Sequence, residues 1–127
     1  ASAASSRDSS VAGANAANSW GFANVSYWNS DGGIYDGYIL IADEMPTRLA
    51  RDSVIYEECL QSLGLLYDSY WYYESVFYQD SNEQGVPAEI DWAIVQLLYH
   101  PDMPQGGTAE ECRAAAVEII AGLTGAA

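Results

Sequence analysis

The chain has 127 residues, enough for one domain, and 50% of them are apolar, so a real core can form. Its formal net charge is −14, it contains no lysine, and its only permanent cations are Arg7, Arg48, Arg51 and Arg113. So acidic a surface repels phosphate backbones and anionic lipid, which argues against nucleic acid and membrane surfaces as partners; it suits cations, basic partners or a salty medium, or serves solubility alone.

Residues 1–18 are Ala, Ser, Asn and Gly with almost no large apolar groups. Such a segment buries too little surface to offset its ordering entropy and reads as a flexible tail or linker, leaving 19–127 as the domain. Nothing at the start has the basic end and apolar block of a signal peptide, and the chain is compatible with a mature product of secretion. No run approaches the roughly twenty apolar residues of a membrane span.

Ala23 to Trp28 is rich in β-formers and reads as a strand. Asn29-Ser30-Asp31-Gly32-Gly33 is turn chemistry, and Ile34 to Ala42 reads as a second strand. Asn24-Val25-Ser26 matches the N-glycosylation acceptor pattern, which arises often by chance. From Asp52 the period changes to helical: Ile55, Cys59, Leu60 and Leu63 recur on one face, and Gly64 is a natural stop. Leu65 to Val86 is irregular and strongly aromatic, and so long a loop is often functional. Pro87 to Tyr99 reads as a second helix with an apolar stripe of Ile90, Ala93, Ile94, Leu97 and Leu98. Thr108-Ala109-Glu110-Glu111 is a capping box, opening a last helix to about Leu123 that buries Cys112, Ala116, Ile119 or Ile120, and Leu123. The fold class is therefore α+β, a small sheet packed on about three helices.

Cys59 and Cys112 fit no zinc knuckle or redox pair. They either form one disulfide in an oxidising compartment or are small buried apolar residues. Ten Tyr and four Trp against two Phe favour surfaces that are part dry and part wet. Tyr67, Tyr70, Trp71, Tyr72, Tyr73 and Tyr78 are accordingly candidate interface residues, with a tyrosine-rich core as the alternative. The lone histidine, His100, follows a helix and is better placed as a C-terminal cap than as a catalyst.

The run Glu57-Glu58-Cys59-Leu60-Gln61-Ser62-Leu63-Gly64-Leu65-Leu66-Tyr67 resembles, in register, the His-Glu-x-x-His-x-x-Gly-x-x-His motif of metzincin zinc proteases. Glu58 falls on the catalytic glutamate and Gly64 on the turn glycine. Ser75-Val76-Phe77-Tyr78 is similar to the Met-turn, with Phe for Met, and Asp91 through Leu98-Tyr99 to the helix that follows it. The chain is more similar still to a bacterial family of secreted proteins and predicted lipoproteins of unknown function, over roughly residues 52 to 123. The resemblance implies the C-terminal half of a zincin-like domain, secreted, extracellular, at the cell surface or periplasmic.

All three ligand positions depart from it. Glu57, Gln61 and Tyr67 stand where the histidines belong, and a carboxylate, an amide and a phenol are poor substitutes for the imidazole or thiolate that zinc prefers. No metal is expected. Glu57, Gln61 and Asp68 offer oxygen that suits calcium better, but calcium needs about six ligands, and a hydrogen-bonded Glu57–Gln61 pair competes with that reading. The sequence thus points to a pseudoenzyme that binds protein, most simply itself, as a homo-oligomer or filament subunit. The alternative is a divergent metal-dependent hydrolase or peptidase using Glu58.

Overall fold

The computed structural model describes residues 20–81 and 83–125, so the tail expected at 1–18 lies outside the described residues. Two antiparallel strands, β1 (Gly21–Tyr27) and β2 (Ile34–Ile41), are followed by helices α1 (Arg48–Gln61), α2 (Glu89–Leu98) and α3 (Ala109–Thr124). The α+β class expected from the sequence is the class observed.

The hairpin pairs Phe22 with Leu40 and Asn24 with Tyr38, and carries an irregularity at Ser26–Tyr27. Its turn closes through Trp28 N–H donating to the Gly33 carbonyl at 2.9 Å and Gly32 N–H to the Trp28 carbonyl at 2.7 Å. Gly32 adopts φ +71°, a conformation disfavoured for residues with a Cβ. Gly106 lies directly on this turn; a Cβ there would come within 2.7 Å of the Asp31 backbone, so the loop before α3 docks backbone against backbone.

Helix α1 begins at Arg48, four residues earlier than the periodicity implied. The reason is Thr47, whose hydroxyl accepts from Ala50 N–H at 3.0 Å and caps the first turn. It lies across both strands. Its buried face differs from the expected one: Ala50, Ser53, Val54, Glu57, Glu58 and Leu60 point inward, while Cys59 and Leu63 are exposed. The chain leaves the helix through Gly64, at φ +113°.

The loop between α1 and α2 is built by side chains. Ser69 N–H donates to the Phe77 carbonyl at 2.8 Å, and Gln79 N–H returns to the Ser69 carbonyl at 2.9 Å. The amide of Gln84 donates to the Tyr73 carbonyl at 2.6 Å. The centre of this arrangement is Asp91, 0% exposed on the first turn of α2. Its carboxylate accepts from the Ser75 hydroxyl at 2.5 Å, from Val76 N–H at 3.0 Å and from Ala88 N–H at 2.8 Å. Val76 and Phe77, held by it, pack with Leu60 of α1 into the central apolar cluster, joined by Leu65 and Val95. At the other end of α2, the Tyr99 hydroxyl donates to the Leu63 carbonyl at 2.8 Å.

Helix α3 carries the expected capping box: Thr108 N–H donates to the Glu111 carboxylate at 2.8 Å, and Glu111 N–H to the Thr108 hydroxyl at 3.2 Å. The Thr108 N–H and hydroxyl, both donating to the Glu111 carboxylate, hold that carboxyl below its ordinary range. The helix buries Ile119 but leaves Ile120 exposed and Leu123 75% exposed, against the expectation that Leu123 is core. Of the two alternatives for Cys59 and Cys112, a disulfide or two buried thiols, the structure has both as free thiols, with Cys59 exposed. Cys59 faces solvent, whereas Cys112, half-buried on α3, has its sulfur 3.9 Å from the Pro104 carbonyl oxygen, so the two thiols serve different surfaces.

Asp91→Asn keeps the side-chain shape but replaces one acceptor oxygen with an NH2, which faces either the Ser75 hydroxyl or the Val76 and Ala88 amides. The substitution is expected to lower stability by about 2–4 kcal/mol, read as a shift in urea midpoint at unchanged m-value.

Candidate functional site

The buried face of α1 brings two adjacent acids toward β1 and the loop beyond Gly64. There a cavity of about 490 Å³ opens between β1 and α1, with Glu57, Glu58, Gln61 and Asp68 on its acidic side and Trp20, Phe22, Val54 and Leu66 among its apolar walls.

Glu58 is 5% exposed. It packs under the first residue of β1: a Cβ on Gly21 would sit 2.5 Å from Glu58 Oε1 and from Val54 Cγ1, so only glycine lets the strand lie this close to the helix. Glu58 Oε2 is buried and finds no hydrogen-bond partner among the described residues. Burial, with Asp68 nearby adding like-charge repulsion, pushes the Glu58 carboxyl up to about 7.

Asp68, on the loop after α1, collects the remaining polar groups. Its Oδ1 accepts from the Gln61 amide at 2.7 Å, and its carboxyl is hydrogen-bonded to Glu57. Desolvation raises the Asp68 carboxyl above its ordinary range, and the bonds to Glu57 and Gln61 offset part of that rise. The Gln61 amide, which the i, i+4 spacing offered to Glu57, thus reaches Asp68.

Of the three positions that the resemblance put at a metal, Glu57 and Gln61 reach this cluster, while Tyr67 is 90% exposed and points away from it. The loop after Gly64 therefore returns Asp68, and not Tyr67, to the helix. Glu57, Gln61 and Asp68 supply fewer oxygens than the roughly six calcium requires, and they are bonded among themselves. Among the described residues, no group of three or more His, Cys, Asp or Glu is arranged to hold a metal ion.

The other expected interface residues lie outside the cavity. Tyr70, Trp71, Tyr72 and Tyr73 are exposed, Trp71 at 87%, and Tyr73 stacks edge-on against half-buried Tyr78 with ring centres 5.4 Å apart. The expectation of a solvent-facing aromatic loop describes these side chains better than that of a tyrosine core. His100 sits in the turn after α2, where its own N–H donates to the Leu97 carbonyl at 3.2 Å at the helix end and its Nδ1 accepts from Asp102 N–H at 3.2 Å. One member of the site carries no signal in the chain: Gly21 reads as the edge of a strand, and only the close approach of Glu58 reveals its role. Asp68 was visible as an oxygen donor, but not as the centre of the cluster.

Because the folded chain holds the Glu58 proton up to about 7 while an unfolded chain releases it near 4.5, folding takes up a proton between those values. This contribution to stability is complete below pH 4.5, falls as pH rises through 7, and is flat above that. Glu58→Gln is therefore expected to gain ~1–2 kcal/mol relative to the native chain between pH 5 and pH 8, checked by paired urea titrations at the two pH values.

No curated protein and no solved structure matches the chain. A family model described as a protein of unknown function, DUF2927, matches residues 2–118. That span covers most of the chain, in keeping with the expected membership of a family without an assigned role, and the protein belongs to the DUF2927 family.

Proposed function

We propose that this protein is a secreted, non-catalytic zincin-like domain that acts in binding, most simply in assembly with further copies of itself outside the cytoplasm. The zincin-like part of the reading is supported by the order of its features. A helix with Glu58 ends in the positive-φ Gly64. The 75–78 turn then packs beneath Leu60, and Asp91 on the next helix bonds to that turn. The loss of hydrolysis is supported by the ligand positions: Gln61 is engaged by Asp68, Tyr67 faces solvent, and the reading needs no cofactor.

The observation that carries a binding role is the exposed apolar surface. Tyr67, Tyr70, Trp71, Tyr72 and Tyr73 face solvent along one loop, and Val117, Ile120 and Leu123 do so along α3. Contiguous exposed aromatic and aliphatic surface is the usual mark of an interaction site. No described helix is long and apolar enough to cross a membrane. Sedimentation or multi-angle light scattering across a concentration series is expected to show self-association. The double substitution Trp71→Ala, Tyr72→Ala should weaken it at least about tenfold, the effect of losing a single interface hot spot. A monomer that persists at millimolar concentration overturns assembly.

One observation favours the second reading, a divergent hydrolase. The Glu58 carboxyl lines a cavity and titrates near 7, where a general acid or base works best. Metal analysis paired with a peptidase assay decides it: stoichiometric metal and turnover abolished by Glu58→Gln would replace the binding proposal, whereas equal background in both proteins supports it.

A further inference from the structure

Apart from the aromatic loop, the cavity between β1 and α1 has a chemistry of its own. It combines three acidic side chains, Glu57, Glu58 and Asp68, with apolar walls that include Trp20, Phe22 and Leu66. An acidic cluster alone is usually a solvated face. Here, however, Glu58 is almost wholly buried at the floor of the cavity, and its Oε2 is an acceptor without a donor among the described residues. A buried acceptor left unmet costs on the order of 1–3 kcal/mol, so a donor that enters the cavity recovers an interaction the folded chain lacks.

We infer that this cavity is a binding site for a monovalent organic cation with an apolar stem, an alkylammonium or alkylguanidinium group whose charged head meets Glu58 and the Glu57–Asp68 pair while its stem lies against Trp20, Phe22 and Leu66. Two features favour an organic cation over a metal ion. The volume of about 490 Å³ far exceeds a bare ion, and beside its polar side the cavity has an apolar patch formed by Trp20, Phe22, Val54 and Leu66. The carboxylates also do not converge as a coordination shell, since Asp68 is already bonded to Glu57 and Gln61. Aromatic rings beside a cation add attraction through their electron-rich faces. The chain has no lysine, and Arg48, Arg51 and Arg113 are absent from the cavity walls, so the described part of the molecule does not fill the site itself. The inference rests on this cavity alone and stands whether or not the zincin-like reading does.

The test is a titration of the full chain, followed by backbone amide shifts, at fixed ionic strength and pH 8. The probes are n-butylammonium, the capped amino acids N-acetyl-lysine methylamide and N-acetyl-arginine methylamide, neutral n-butanol, and calcium chloride. Saturable shifts centred on Gly21, Phe22 and Glu58 are expected with the organic cations and not with butanol. Glu58→Gln should weaken binding at least tenfold, with Asp68→Asn as a second variant should the first not fold, and Glu110→Gln on the outer face of α3 should leave it unchanged. Response to butylammonium alone marks a free-amine site; response to the capped amino acids as well marks a site for basic side chains. Either supports the inference. It is overturned by shifts no larger than those of sodium chloride, by an equal response to butanol, by saturation with calcium alone, or by binding that appears only in Arg7→Gln, which would show the chain's own guanidinium in the cavity.

Discussion

Asp91 holds the two halves of this molecule together. A carboxylate with no contact with water needs donors in the interior, and it takes three: one hydroxyl and two backbone amides, from both sides of the loop before α2. Those bonds fix the 75–77 turn, and the turn presents Val76 and Phe77 to Leu60. The central cluster of the fold therefore exists because a polar residue is satisfied, and α1 and α2 are registered through it rather than through a broad apolar contact. Tyr99, bonded to the Leu63 carbonyl, ties the far ends of the same two helices.

With the helices so placed, α1 has limited freedom in what it turns toward the strands. Leu60 faces the 75–77 turn, and the neighbouring face, with Glu57 and Glu58, meets β1. The strand accommodates the second acid only because Gly21 has no side chain. The result is a buried carboxyl pushed up to about 7 by desolvation, beside a second acid, Asp68, that desolvation also raises. A chain of such negative charge thus spends part of its stability on an acidic cavity. Structures keep such costs chiefly where they serve a site, and this links the electrostatics to a cationic ligand.

The apolar surface is distributed in the opposite sense. Few large side chains are fully buried, while an aromatic loop and one stripe of α3 face outward. In so small a protein, each tyrosine left outside is core area forgone. The acidic cavity and the aromatic surface are then separate features on one scaffold, the first marked by charge and the second by apolar area. Only the aromatic content was evident from composition, because tyrosine content is a property of the chain, whereas its exposure and the cavity are properties of the folding.

The sequence by itself determined whatever depends on neighbours within a few residues. The two strands, the Asp31–Gly33 turn, the stop near Gly64 and the Thr108 cap all follow from local propensity and hydrogen bonding, and all are present; the run of tyrosines was legible too, but not whether it faced solvent or core. Tertiary structure decided what depends on direction. Helical spacing alone made Cys59 and Leu63 core; packing against the strands and the 75–77 turn instead rotated Glu57, Glu58 and Val54 inward. The same long-range choice separated Cys59 from Cys112, drew Gln61 to Asp68 instead of Glu57, and turned Tyr67 outward. A one-residue rotation of a helix face changes each of these and leaves the apolar count of the face nearly the same, so no pattern in the chain could have chosen between them.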